Sequence, residues 1–194
     1  MSVDRIVVGI TGASGAIYGL RCLEALRVAG IETHLIVSRA GEMTLRLECG
    51  IGLRDMESRC DHLHPVGNVG ATIASGSFRT RGMIIAPCSV RTLSEIASGV
   101  TSSLMTRAAD VTVKERRRLV LMVRETPLHL GHLRSMLAVA EMGAIIAPPM
   151  PAFYARPGSI DDVVDHSVGR VLDLFDIDTS MRRWEGLGSG DRNE

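Results

Sequence analysis

The chain has 194 residues, with 22 Lys plus Arg against 22 Asp plus Glu, so its formal net charge is zero. That length suits one domain with a single core, and the charge balance removes the electrostatic reason to expect a nucleic-acid or anionic-membrane partner. Three Phe, two Tyr, one Trp and four dispersed cysteines, with no uncharged apolar run of the roughly 18 residues a span requires, argue against a base-stacking platform, a disulfide or zinc framework and a membrane protein; a cytoplasmic protein is expected.

Arg5–Ile10 is a short β-branched apolar run that stops at Thr11-Gly-Ala-Ser-Gly15, after which apolar residues recur at helical spacing from Ile17 to Val28. The pattern is strand, glycine loop, helix. Ile31–Val37 reads as a second strand and residues 40–49 as a helix. From Ile51 to Phe78 the pattern dissolves into polar and small residues, with at most a short strand near His64–Val66. Met83–Ala86 is a buried strand, followed by helices over about 89–98 and 104–117. Leu119–Val123 is the next strand, 130–142 the next helix, and Ala144–Ala147 the last strand before the rigid Pro148-Pro-Met-Pro151. A final helix spans about 160–175. Residues 1–185 are therefore expected to form one α/β domain and 186–194 a flexible tail.

Continuous apolar strands alternating with helices predict a doubly wound parallel sheet whose ligands sit at the carboxyl ends of the strands. Five segments lie there: Thr11–Gly15, Ser38, Pro87–Thr92, Arg124-Glu125 and Pro148–Tyr154. Gly9-x-x-Gly12-x-x-Gly15 opens a helix, where N–H groups receive a phosphate or the edge of a flavin, or simply make a tight turn. It lacks the G-x-G-x-x-G spacing, and Ser38-Arg39 stands where a dinucleotide fold places a ribose-binding acid, which favours FMN over NAD. Ser89 and Thr92 offer hydroxyls at a second helix start, although Ser89 also suits an ordinary N-cap. Cys88 reads as a small buried hydrophobe. Arg124-Glu125, delivered as an ion pair to the ligand edge by five apolar residues, either combines a phosphate fork with a proton-transfer group or is an exposed pair at a loop start. His62, His64, His129, His132 and His166 read as capping or packing groups, and no metal site is expected. Tyr154 follows the proline-rich loop and either presents its phenol to a cleft or seals the sheet edge.

Several motifs in one order make the chain resemble the flavin prenyltransferase (UbiX) family, close to members associated with aromatic-acid decarboxylases. They are Gly9-Ile-Thr-Gly-Ala-Ser-Gly-Ala16, Ser75-Gly-Ser-Phe78 with Gly82-Met-Ile-Ile-Ala-Pro-Cys-Ser89, Arg107-Ala-Ala-Asp-Val111 with Lys114-Glu-Arg116, Arg124-Glu-Thr-Pro-Leu128 and Ala147-Pro-Pro-Met-Pro-Ala-Phe-Tyr154. The resemblance covers about residues 4–185. It implies that residues 1–185 are a single flavin-binding α/β domain of flavodoxin/Rossmann-like type, with a homo-oligomeric flavin-containing cysteine decarboxylase-like fold, in which reduced FMN is alkylated at N5 and C6 by dimethylallyl monophosphate, without Mg²⁺. The product, prenylated FMN, goes to a UbiD-type decarboxylase. By the same resemblance Gly12, Ala13, Ser14, Ser38, Ser89, Val90, Arg91, Thr92 and Arg124 contact FMN. Lys114, Arg124, Tyr154 and Arg170 bind the allylic phosphate, and Ser14, Glu48, Lys114 and Glu125 are catalytic. The family forms a dodecamer with sites at subunit junctions, so these groups need not come from one chain. Val90-Arg91 and Val123 depart from the family's usual Met-Lys and Pro.

Two alternatives use the same fold. One is an FMN-dependent cysteine decarboxylase, but that family carries P-A-S-A-N-T where this chain has Pro87-Cys-Ser-Val-Arg-Thr92, without the Asn. The other is a non-catalytic FMN-binding subunit of a decarboxylase.

Overall fold

The structure, a computed structural model, describes residues 4–186. Beyond Gly186 the expected tail lies outside the described residues. Strands β1 (Arg5–Ile10), β2 (Glu32–Val37), β3 (His62–His64), β4 (Gly82–Cys88), β5 (Arg118–Val123) and β6 (Ile145–Ile146) form one sheet in the order β3-β2-β1-β4-β5-β6. Every neighbouring pair is parallel. The predicted fold class holds.

Each strand alternates between two apolar layers, which is why its sequence reads as continuously hydrophobic. Ile6, Val8 and Ile10 of β1, with Val120 and Met122 of β5, enter one layer beneath α1 (Ala16–Val28), α2 (Arg39–Cys49) and α6 (Ile160–Asp173). Val7 of β1, with Leu119, Leu121 and Val123 of β5, enters the other beneath α3 (Val90–Ala97), α4 (Leu104–Lys114) and α5 (Leu130–Glu141). Gly19 lets α1 lie directly on the sheet, since a Cβ there would stand 2.4 Å from the Ala86 carbonyl oxygen.

The excursion from 51 to 78 is better ordered than its composition suggests. Two short 3₁₀ turns, Leu53–Met56 and Thr72–Ala74, drop Met56 into the first layer and Ile73 into the second. Its strand lies two residues earlier than expected, because His34 of β2 pairs with His62. Helix α4 stops at Lys114 rather than near 117: Arg116 takes a left-handed φ of 56°, which turns the chain into β5. No helix among the described residues is long and apolar enough to cross a membrane.

Candidate functional site at the carboxyl edge of the sheet

The chain winds outward from β1 to β2 and β3, then returns to β4 on the other side of β1. The connections therefore diverge at the carboxyl ends of β1 and β4 and open a crevice there. Thr11 joins the two loops that line it. Its Oγ1 donates to the Pro87 carbonyl at 2.7 Å and accepts the Ser89 N–H at 2.8 Å, and Thr11 is 1% exposed. Sequence reasoning placed Thr11 in the loop without a role, since a threonine ending a strand carries no signal of which partner it will meet.

Gly12 sits where α2 meets this loop; a Cβ would stand 2.3 Å from that of Ala40, so only glycine permits the approach. Ser38 caps α2, accepting the Gly41 N–H at 3.0 Å. The first amides of α1 are not empty anion donors, as the glycine spacing suggested. Gly15 N–H and Ala16 N–H donate to Glu48 Oε2 at 2.9 and 3.0 Å. Burial pushes the Glu48 carboxyl up. The bonds from Gly15 and Ala16, one from the Ser14 hydroxyl and the Arg124 charge outweigh that push and hold it below the ordinary carboxylate value. Ser14, Glu48 and Arg124 thus act as one electrostatic cluster at the mouth of the crevice.

On the β4 side Ser89 caps α3 by accepting the Thr92 N–H at 3.3 Å, and its hydroxyl donates to Thr92 Oγ1 at 3.2 Å. The Val90 and Arg91 amides, in the first turn, are beyond the reach of the i−4 ladder and remain available to an anion. The Arg91 side chain is exposed and pairs with Glu95 at 3.0 Å. Cys88 is fully buried and its thiol is pushed up to about 12 by burial, which suits the packing role expected of it and not a nucleophile.

At the end of β5 the expected Arg124–Glu125 ion pair does not form. The Arg124 N–H donates to the Cys88 carbonyl at 3.1 Å and its Nε reaches within 4.0 Å of the Cβ position of Gly15, whereas Glu125 Oε1 accepts the Thr126 N–H at 3.0 Å. Successive residues of an extended segment point to opposite sides, and here that rule separates the two charges.

Tyr154 and Arg170 share a second cleft of about 510 Å³, lined also by Met122, Pro148, Met150 and His166. Tyr154, in a single 3₁₀ turn, places its hydroxyl 3.1 Å from His166 Nε2 and its ring edge-on to Trp184 at 5.6 Å. Arg170 pairs with Asp173 at 3.0 Å. Hydrogen bonds from Arg183, with further help from Arg170, hold the Asp173 carboxyl below its usual range.

Lys114 joins neither group. It ends α4 just before β5 begins, and its ammonium pairs with Glu115 beside Gly76. Arg124 follows the other end of β5, six residues and about 20 Å along the strand. The chain thus brings Ser14, Glu48 and Arg124 together, sets Tyr154 beside Arg170 and leaves Lys114 at the opposite edge.

The family model described as Flavoprotein matches residues 1–172. The flavin prenyltransferase UbiX of Escherichia coli K12 is 56% identical over 188 residues, covering 95% of this chain and all of that protein. A crystal structure of AnUbiX (PadA1) in complex with FMN and dimethylallyl pyrophosphate matches with a TM-score of 0.94 and 49% identity over 96% of this chain and all of its own. A dodecameric FMN-dependent UbiX-like decarboxylase from Escherichia coli O157:H7 matches with a TM-score of 0.91 and 48% identity, over 94% and 100%.

Proposed function

The chain belongs to the flavoprotein family as one of its flavin prenyltransferases, and from that premise we propose how its residues divide the work. The enzyme joins a dimethylallyl group from a dimethylallyl phosphate to FMN. We assign the monophosphate as donor, the dodecamer as working assembly and a UbiD-type decarboxylase as acceptor of the product.

The observation that carries the assignment is the pair of loops pinned by Thr11 at the divergence of β1 and β4, with Arg124 over them. The crevice fits a mononucleotide. The starts of α2 and α3 follow its loops, Gly12 lets the first loop lie directly against α2, Ser38, Ser89 and Thr92 offer hydroxyls, and Ser38-Arg39 stands where a second ribose would need an acid. Gly12, Ala13, Ser14, Ser38, Ser89 to Thr92 and Arg124 hold the flavin. Reduced FMN supplies the nucleophilic N5 and C6. Glu48, seated on the Gly15 and Ala16 N–H groups beside Ser14, steadies the Arg124 guanidinium with its charge.

Cleavage of an allylic C–O bond leaves the electrons on the phosphate, and cations in a water-poor pocket stabilise that charge as it grows. Lys114, Arg124 and Arg170 supply them, and Tyr154 donates its hydroxyl to the leaving oxygen. Since Lys114 and Arg124 occupy opposite edges of one sheet, the lysine of each site comes from a neighbouring subunit. The surface supports such packing: Leu130, Leu133 and Leu137, at i, i+3 and i+7 on α5, are 60%, 49% and 60% exposed in the single chain. Ring closure joins C6 to the tertiary prenyl carbon, loses the proton of C6 and adds one to the central carbon of the prenyl double bond; Glu125, on the other side of the backbone from Arg124, relays that proton.

Anaerobic incubation with reduced FMN and dimethylallyl monophosphate, followed by mass spectrometry of the released flavin, tests the reading. A flavin heavier by one five-carbon prenyl unit is expected. Unaltered FMN bound at full occupancy identifies a non-catalytic flavin carrier, and decarboxylation of a cysteinyl peptide identifies the cysteine decarboxylase alternative.

A further inference from the structure

Prenyl transfer leaves unused a cluster at the β2–β3 edge, toward the amino end of β2. Residues two apart on a strand project from the same face, and the parallel register sets His34 beside His62 and Ile36 beside His64. Glu32, His34, His62 and His64 are thereby stacked on one side of the sheet. The His34 ring lies 4.6 Å from that of His62 and 5.2 Å from that of His64.

One donor atom from each of Glu32, His34 and His62 lies within 4.8 Å of the other two. Glu32 Oε1 is 2.9 Å from His34 Nε2 and 3.4 Å from His62 Nε2. Arg5 Nε lies 3.2 Å from the other carboxylate oxygen, a charge contact that leaves Oε1 to the imidazoles. His34 is 3% exposed, and its Nδ1 lies 2.9 Å from His64 Nε2, an outer partner of the kind that fixes the tautomer of a ligating histidine.

We propose that Glu32, His34 and His62 form a binding site for a divalent transition metal such as Zn²⁺, with water in the fourth position. Two imidazoles and a carboxylate select zinc and its neighbours over Mg²⁺ or Ca²⁺. An ion about 2.0–2.2 Å from each tetrahedral donor sets the donors roughly 3.3 Å apart. The His62 to Glu32 separation already matches that spacing, and the His34 to Glu32 separation opens by a few tenths of an ångström when the ion replaces the proton between them. His62, half exposed on a three-residue edge strand, rotates to complete the site. His34 then carries its proton on Nδ1 and donates it to His64. The ion ties β3, held to the sheet only through β2, to its neighbour.

The motif stayed hidden in the sequence because its ligands come from two strands separated by α2 and a long loop. Of the other histidines read as capping groups, His129 does cap α5, accepting the Gly131 N–H at 3.0 Å.

Calorimetric titration of the EDTA-treated, FMN-loaded protein with ZnCl₂ tests the proposal, with Co²⁺ absorption as a second probe. One ion per subunit is expected. Binding should weaken at least about tenfold in His62→Ala and Glu32→Gln and stay unchanged in His129→Ala and His132→Ala. Zinc should raise the melting temperature of the wild type and not of His62→Ala, and retained FMN confirms that each variant is folded. The proposal is overturned if wild type binds Zn²⁺ no more tightly than His62→Ala, or if the bound ion follows His129 or His132.

Discussion

The loops after β1 and β4 are locked together by the buried Thr11 hydroxyl, whereas Tyr154 and Arg170 reach the opposite part of the edge from a proline-rich turn and the last turn of α6. The first region is held within one chain by hydrogen bonds to Thr11, Ser89 and Glu48, with the Val90 and Arg91 amides left for an anion. The second is half exposed, and its cation is shared with Asp173. A surface that must hold a flat aromatic system in fixed register gains from rigid loops. One that takes up and releases a small phosphate gains from side chains that neighbours complete. Under the proposed division of the site, the difference corresponds to a flavin subsite prepared on folding and a phosphate subsite completed on assembly.

The strongest test of that contrast uses two inactive variants. Lys114→Ala and Arg124→Ala homo-oligomers should each lose prenyl transfer, and mixed oligomers from co-expression should regain it, because some junctions combine an intact lysine from one subunit with an intact arginine from another. Activity of the mixture no higher than that of the separate variants would place both cations in the same subunit's site.

Glu125→Gln keeps shape and loses proton-transfer capacity, so ring closure should slow by ~10²–10⁴-fold with FMN affinity unchanged. Rapid-quench mass and absorption spectra would show an N5-alkylated flavin accumulating. Arg170→Ala removes a charged donor, an effect of roughly 1.5–3 kcal/mol or about 10- to 150-fold in kcat/KM for the prenyl phosphate, and should leave flavin titrations within a few-fold of wild type.

Thr11→Val is the matching break on the flavin side. It strands the Ser89 N–H and leaves the Pro87 carbonyl to the Thr11 backbone N–H at 3.3 Å, and should lower stability by about 1–3 kcal/mol, read by chemical denaturation, and weaken FMN retention. Its effect on KM for the prenyl phosphate should be small. The reverse pattern would mean that the rigid loops serve the phosphate.

The smallest effect concerns Glu48, whose carboxyl titrates lower in the folded chain than its ordinary value of 4.5. A depressed carboxylate stabilises the fold above its unfolded value, and that contribution vanishes as pH falls through the folded one. Wild type should therefore melt above Glu48→Gln at neutral pH, and the two should converge in acid. Melting curves across that range provide the measurement.

How much of this was legible beforehand depended on whether the evidence was local. Five apolar residues ending at Arg124 announce a strand that delivers a charge to the carboxyl edge of the sheet, and β5 does so. Ser38 and Ser89 read as helix starts, and both cap helices. Thr11, the seating of Glu48 on α1, the separation of Arg124 from Glu125 and the remoteness of Lys114 were not readable, because each depends on which segment lies alongside in space.

Hydrophobic period, glycine placement and capping residues by themselves determined the strands, the helices and the parallel doubly wound class, since each acts within one turn or one strand. The order of the strands decided the rest. By setting β4 against β1 it brought Thr11 to Pro87, by setting β3 against β2 it brought His62 to His34, and by running β5 between Lys114 and Arg124 it held those cations apart. Hydrogen bonds, charge pairs and metal ligands act over a few ångströms, and only chain packing determines which residues come that close.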